Sequence, residues 1–149
     1  MLGVCYRYAN SRHEAEDFLQ DAMITVFRKL GQFRNEGSIE RWIYRIVVNT
    51  CINGIRARGR LTEQIDTAAF ENLPLNTPSE PGAYKEIIEM VRELPVNVRT
   101  VFNLHAVEGY PHEEIAKLLD INVNTIRSQY SRARELLMKK IGSEPPKKI

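Results

Sequence analysis

HEEIAKLLDINVNTIRSQYSRAR, residues 112–134, is the stretch that decides the fold. It contains two helical stretches separated by a short turn from Asp120 to Asn124. Ala116 places a small side chain where two helices must cross. Asp120 stands where the turn needs a residue tolerant of positive φ. Ile126 follows ten positions after Ala116 and can pack the second segment onto the first. Thr125 reads as the cap of that second helix, which the pattern carries to about Lys140. With Ile126 and Ala133 facing inward, Thr125, Arg127, Ser128, Ser131 and Arg132 are left on the outward face. Cations and hydroxyls on one face suit a helix lying in a DNA major groove, with Arg aimed at guanine and hydroxyls at phosphate. The plain alternative is a helical hairpin whose charged face is simply solvated.

Upstream, Tyr84, Ile87, Ile88, Val91 and Leu94 form an apolar stripe that Pro95 interrupts. Val98, Val101, Phe102 and His105 predict a second helix ending near Gly109, and Pro111 suits the first turn of a third. Residues 83–141 therefore read as one small helical domain, followed by a Pro- and Lys-rich tail over 142–149. Segment 61–82 holds Pro74, Pro78 and Pro81 among Asn, Thr, Ser and Gly and lacks sustained periodicity, so it reads as a linker.

Residues 1–60 form the other domain. Ser11-Arg12-His13-Glu14 is a capping-box sequence. Beyond it Ala15, Phe18, Leu19, Ala22, Met23, Val26, Phe27 and Leu30 recur at helical steps, and Gly31 can end the helix. The polar side of that helix carries Glu14, Asp17, Gln20, Asp21 and Thr25; of these Asp17, Gln20 and Asp21 share one face. A second helix starts after Ser38 with Ile39, Trp42, Ile43, Ile46, Val47, Cys51 and Ile55 as its apolar side. Its other side carries Arg41, Arg45, Asn49, Asn53 and Arg56, with Arg58 and Arg60 following. Such a stripe fits phosphate contacts and base-edge bonding on single-stranded DNA, and fits a solvated face equally well. The preceding loop, Phe33-Arg34-Asn35-Glu36-Gly37, offers an aromatic, a cation and an amide to an unstacked base. Residues 2–9 resemble the end of an earlier helix. No stretch alternates persistently with period two, so the expected fold class is all-α.

The charge distribution agrees with two domains. The net charge of the 149 residues is +2, but residues 1–60 carry 10 basic and 6 acidic side chains. Residues 61–83 carry four acids and no base, and residues 84–149 carry 11 bases against 9 acids. Near-neutrality is thus a cancellation, which keeps nucleic acid open as a partner. Two cysteines are too few for a disulfide framework and are not spaced as a zinc site, which points to a reducing, cytoplasmic setting. No signal peptide or membrane span is legible. No phosphate-binding loop, nucleophile elbow or metal motif appears, so neither catalytic residues nor a cofactor is expected.

In order, Ala15-Glu16-Asp17-Phe18-Leu19-Gln20-Asp21, Gly37-Ser38, Trp42-Ile43-Tyr44-Arg45-Ile46, Asn49 and Arg56 resemble region 2 of bacterial sigma factors. Glu93-Leu94-Pro95, Glu108-Gly109, Glu114-Ile115-Ala116, Thr125-Ile126-Arg127-Ser128 and Arg132-Ala133-Arg134 resemble region 4. With a linker and no domain between, the chain is similar to the extracytoplasmic-function (ECF) group. The resemblance implies a non-enzymatic initiation subunit of RNA polymerase. It places Asp17, Gln20 and Asp21 against the polymerase clamp helices. It assigns the Phe33–Ser38 loop and Asn49, beside the basic stripe, to the −10 promoter element, and the Thr125–Arg132 face to the −35 element. An anti-sigma inhibitor is a further implied partner. Three departures accompany the resemblance: the first helix is short, Asp120 and Asn124 stand where the family has Gly, and Pro111 replaces a capping Ser. The acidic linker further suggests a mimic of nucleic acid near the RNA path. The rival is a helix-turn-helix regulator that binds duplex DNA without joining the polymerase; it explains 112–134 and leaves the region 2 set without a role.

Overall fold

The structure, a computed structural model, describes residues 1–59 and 82–143, and the chain divides into two compact units that hold these two stretches. The described residues are helical, without strands. The expected linker and its acidic residues lie outside the described residues, apart from Gly82, which opens a helix.

In the first unit α1 (Leu2–Tyr8), α2 (Arg12–Lys29) and α3 (Ile39–Ala57) pack on one another. The Ser11 hydroxyl accepts from the Glu14 N–H at 3.1 Å, and the Glu14 carboxylate accepts from the Asn10 N–H at 2.6 Å. This is the predicted capping box with its second bond moved back one residue. Gly31 does not end α2 abruptly; the helix tightens through one 3₁₀ turn, Leu30–Gln32. α3 starts after Ser38 as predicted, and the Ser38 hydroxyl caps it, accepting from the Arg41 N–H at 3.5 Å.

The buried face of α2 is Ala15, Phe18, Ala22 and Val26, and that of α3 is Val47, Val48, Cys51, Ile52 and Ile55. The predicted apolar faces were too wide. Phe27 is 75% exposed, and Leu30 and Ile39 are also largely exposed. Each lies at an end of its helix, on the flank of the row that meets its neighbours, so helical spacing alone does not bury it.

Gly54 marks the closest approach of α3 to α2, because a Cβ there would overlap the fully buried Phe18 ring. Gly54→Ala gains helix propensity but must displace that ring. The expected net loss is about 1–3 kcal/mol in urea unfolding. Adding Phe18→Leu should return part of it. A single variant as stable as the parent would show that the ring yields freely.

The second unit comprises α4 (Gly82–Arg92), α5 (Val96–Phe102), α6 (His112–Leu119) and α7 (Val123–Ser143). Val91, Leu94, Val98 and Ala133 form a core cluster, with Phe102, Leu136 and Leu137 packed against it. Ile87, expected in the α4 stripe, is 58% exposed, one turn before the buried Val91. Pro95 ends α4 and starts α5. Past Phe102 the helix widens into one π turn, Asn103–Val107, closed by the Glu108 N–H donating to the Asn103 carbonyl at 3.0 Å. Pro111 stands just before α6 rather than within its first turn. At the other end α7 runs through Gly142 to Ser143, into the segment expected to be tail.

Asp120 adopts φ 55° and ψ 48°, as its position in the turn demands. Two bonds close the end of α6: the Ile121 N–H donates to the Ala116 carbonyl at 3.0 Å, and the Asp120 N–H to the Lys117 carbonyl at 3.4 Å. This is a Schellman arrangement carried by Asp rather than Gly. The Asn122 carboxamide then accepts from the Asn124 N–H at 2.8 Å, so Asn122, not Thr125, caps α7. Thr125 lies inside the helix because Val123 is its first residue.

Candidate nucleic-acid interface

Ile126 and Ala133 are fully buried, and so is Gln129. That inward row leaves Arg127, Ser128 and Ser131 exposed, with Thr125 and Arg132 half-buried on the flanks. All five predicted residues thus lie on the outer side of α7. Two cations on that side are already engaged. Arg127 donates to the Asn124 carboxamide at 3.3 Å and to the Glu113 carboxylate of α6 at 3.2 Å. Arg132 pairs with Glu135 at 3.3 Å. These are solvent-exposed ion pairs of small net strength, so a phosphate or a guanine edge can replace the carboxylates. The Glu113 carboxyl is held below its ordinary range, first by its own backbone N–H at the helix start and then by Arg127.

Behind this surface His105, His112 and Tyr130 form an aromatic cluster. The imidazoles stack with centroids 4.1 Å apart, and Tyr130 meets His105 edge-on at 4.5 Å. The His105 Nδ1 lies 2.8 Å from the Tyr110 carbonyl, which supports a packing role for this residue. Burial, then His105 and Arg127, pushes the His112 pKa down. A depressed histidine pKa means that the folded state resists protonation, so stability is fullest above the unfolded value near 6.5 and declines as pH falls below it. The melting temperature of this unit is expected to drop between pH 7.5 and 5.5 by less in His112→Phe than in the parent. Identical pH profiles would remove His112 as the cause.

In the first unit the predicted loop and the start of α3 form a cleft of about 420 Å³. Phe33 and Trp42 both line it and pack against each other, with ring centroids 5.4 Å apart and planes at 48°. Arg34, Arg41 and Arg45 line it with them. Left-handed backbone at Asn35 (φ 55°) and Gly37 (φ 86°) bends the loop back towards α3, and Asn is the side chain after Gly that best tolerates that geometry. Asn35 itself is exposed on the loop but does not line the cleft. Asn49, Asn53 and Arg56 continue along α3 beyond it, Asn49 half-buried and the other two exposed. Trp42 fits the apolar side of α3 by its spacing, yet it is half-buried and lines the cleft; an aromatic one residue after Arg41 is the signal for this in the sequence.

Asp17, Gln20 and Asp21 share the outer side of α2, Gln20 and Asp21 exposed and Asp17 half-buried. Asp17 lies 3.5 Å from the exposed His13 imidazole. Glu14, counted with them in the sequence, does not belong to this face. It is buried and pairs with Arg58, whose guanidinium sits 5.2 Å above the Phe18 ring. The same contact withdraws Arg58 from the basic stripe. Among the described residues no cluster of three His, Cys, Asp or Glu side chains could hold a metal ion, and no helix is long and apolar enough to cross a membrane.

A cleft lined by Phe33, Trp42 and three arginines in one helical unit, and a helix-turn-helix in the other, are features that suit contact with nucleic acid. The sigma-70 region 2 family model matches residues 1–61, and that of sigma-70 region 4 matches residues 84–137. RNA polymerase sigma-H factor of Pseudomonas aeruginosa is 34% identical, with 93% of this chain and 79% of that protein aligned. The ECF RNA polymerase sigma-E factor of Haemophilus influenzae is 33% identical over 95% and 81% of the two chains. The sigma factor RpoE of Bartonella quintana, solved with the anti-sigma factor NepR, shares the fold with a TM-score of 0.58 at 20% identity, over 97% of this chain and 91% of that one. The chain belongs to the sigma-70 family, within the extracytoplasmic-function group. Its relatives are sigma factors, which are not enzymes.

Proposed function

We propose that this sigma factor directs core RNA polymerase to promoters through three separate surfaces. Asp17, Gln20 and Asp21 dock the polymerase clamp helices, where an acidic face meets a basic protein surface. The Phe33–Trp42 cleft takes an unstacked base of the −10 element while Arg34, Arg41 and Arg45 hold the adjoining phosphates; Asn35, Asn49, Asn53 and Arg56 extend that contact. Thr125, Arg127, Ser128, Ser131 and Arg132 read the −35 duplex. Residues 1–60 and 83–141 are the two functional domains, and the segment between them tethers one to the other. An anti-sigma factor is a further partner, as RpoE of B. quintana has one in NepR.

The carrying observation is the aromatic cleft ringed by arginines. A regulator that binds only duplex DNA has no use for such a site, whereas a factor that melts promoters needs one. With core polymerase and the full chain, a promoter fragment whose −10 non-template strand is unpaired is expected to bind at least about fivefold tighter than the duplex, one stacked base being worth about 1–3 kcal/mol. Equal affinities favour the duplex-binding regulator. On the −35 side, Glu113→Gln frees Arg127 from its carboxylate and removes a negative charge near phosphate. Promoter affinity is expected to rise by about two- to fivefold at low salt, and the gain should shrink as salt screens it. Unchanged affinity would place Arg127 outside the contact.

A further inference from the structure

Glu36 lines the Phe33–Trp42 cleft together with Arg34, Arg41 and Arg45, and it is the one acid among the lining residues. It is exposed, and among the described residues none of the three guanidiniums pairs with it. Its neighbours Asn35 and Gly37 both have left-handed backbone, at φ 55° and φ 86°, so the loop turns sharply on either side of Glu36. A solvated surface carboxylate would account for the exposure. It does not account for an unpaired acid lining a cleft whose arginines attract phosphate, because a negative charge there weakens every phosphate contact.

We propose that Glu36 is a specificity-determining residue: its carboxylate accepts from the exocyclic amine of the base held in the cleft. The cleft then favours an amine-bearing base over a carbonyl-bearing base of the same shape. This rests on the reading of the cleft as a base site. An ionised carboxylate accepts hydrogen bonds and donates none. The amine of cytosine or adenine donates to it, whereas the matching carbonyl of thymine or uracil would meet it acceptor to acceptor. In cytosine and adenine the ring nitrogen beside the amine is an acceptor, which a neighbouring guanidinium can satisfy; in thymine that nitrogen carries a proton. Stacking on Phe33 and Trp42 holds any base and does not tell one from another, so the choice falls to the polar rim. These edge atoms are engaged in paired DNA and come free when a base leaves the stack, so the selection acts on the unpaired strand.

The test uses core polymerase with the full chain and a promoter fragment whose −10 non-template strand is unpaired. An abasic nucleotide is first moved along that strand, and the position where it weakens binding most is the one the cleft holds. Cytosine against uracil and adenine against hypoxanthine are then compared there, two pairs that differ by an amine exchanged for a carbonyl. In the parent the amine-bearing member of at least one pair is expected to bind about fivefold tighter or more. That pair says whether the cleft takes a pyrimidine or a purine. In Glu36→Gln the carboxamide both donates and accepts, so the preference is expected to fall below about twofold, through tighter binding of the carbonyl-bearing member. Equal binding within both pairs in the parent, a preference for the carbonyl, or a preference that survives Glu36→Gln would overturn the proposal. An abasic nucleotide without effect at any position would instead remove the cleft as a base site, and the proposal with it.

Discussion

Reversing the charge at Asp17 and Asp21 together, Asp17→Arg with Asp21→Arg, is expected to weaken binding to core polymerase by about a hundredfold or more. Truncating one member of an interfacial charge pair costs about 2–5 kcal/mol, and reversal adds repulsion to that loss. The fold should tolerate the change. Asp21 is exposed, and the exposed His13 imidazole beside Asp17 contributes little. Thr25 bonds the carbonyl of Asp21 rather than its side chain, at 3.0 Å, so that contact survives substitution. Unfolding in urea should therefore shift by less than about 1 kcal/mol. Sedimentation of labelled variant with core polymerase measures the first effect. Undiminished assembly would remove the clamp assignment and leave the acidic side of α2 as a solvated face.

The second large effect is expected at Phe33. Phe33→Ala removes one wall of the cleft and leaves Trp42 without its partner ring, 5.4 Å away. A stacked base contributes about 1–3 kcal/mol, so open-complex formation should fall by about 5- to 150-fold. Assembly with core polymerase should not change, because Phe33 lies on the loop after α2 and not on the acidic face. Binding to a −35 duplex should not change either, since that surface belongs to the other unit. Loss of all three activities together would indicate a folding defect. Loss of none would empty the cleft of function.

The sequence carried the architecture well because its decisive signals are local. The turn at Asp120, the row Ile126 to Ala133 and the caps at Ser11 and Ser38 each follow from neighbours a few residues away. The misreadings are of another kind. Glu14 and Arg58 are far apart in sequence, and only packing of α2 on α3 shows that they neutralise each other. Phe27 fits the helical spacing but sits on a flank that no neighbouring helix covers, and spacing does not say which flank a neighbour will cover. Thr125 and Asn122 are both competent caps; the choice depended on where α6 ended and how many residues the turn consumed. The π turn at Asn103–Val107 had no local signature in the sequence. The candidate site divides similarly. Its residue types and helix faces were legible, while the meeting of Phe33 with Trp42 and the engagement of Arg127 by Glu113 required the folded chain.

The most direct measurement is reconstituted transcription. Purified chain is added to core polymerase on a set of promoter templates, and the transcripts are mapped. The expected result is transcripts from fixed start sites on a subset of templates, absent with core polymerase alone and lost when the −35 or −10 element is scrambled. Sequence-specific binding to duplex DNA with neither core association nor transcripts would contradict it and make the protein a regulator that acts apart from the polymerase.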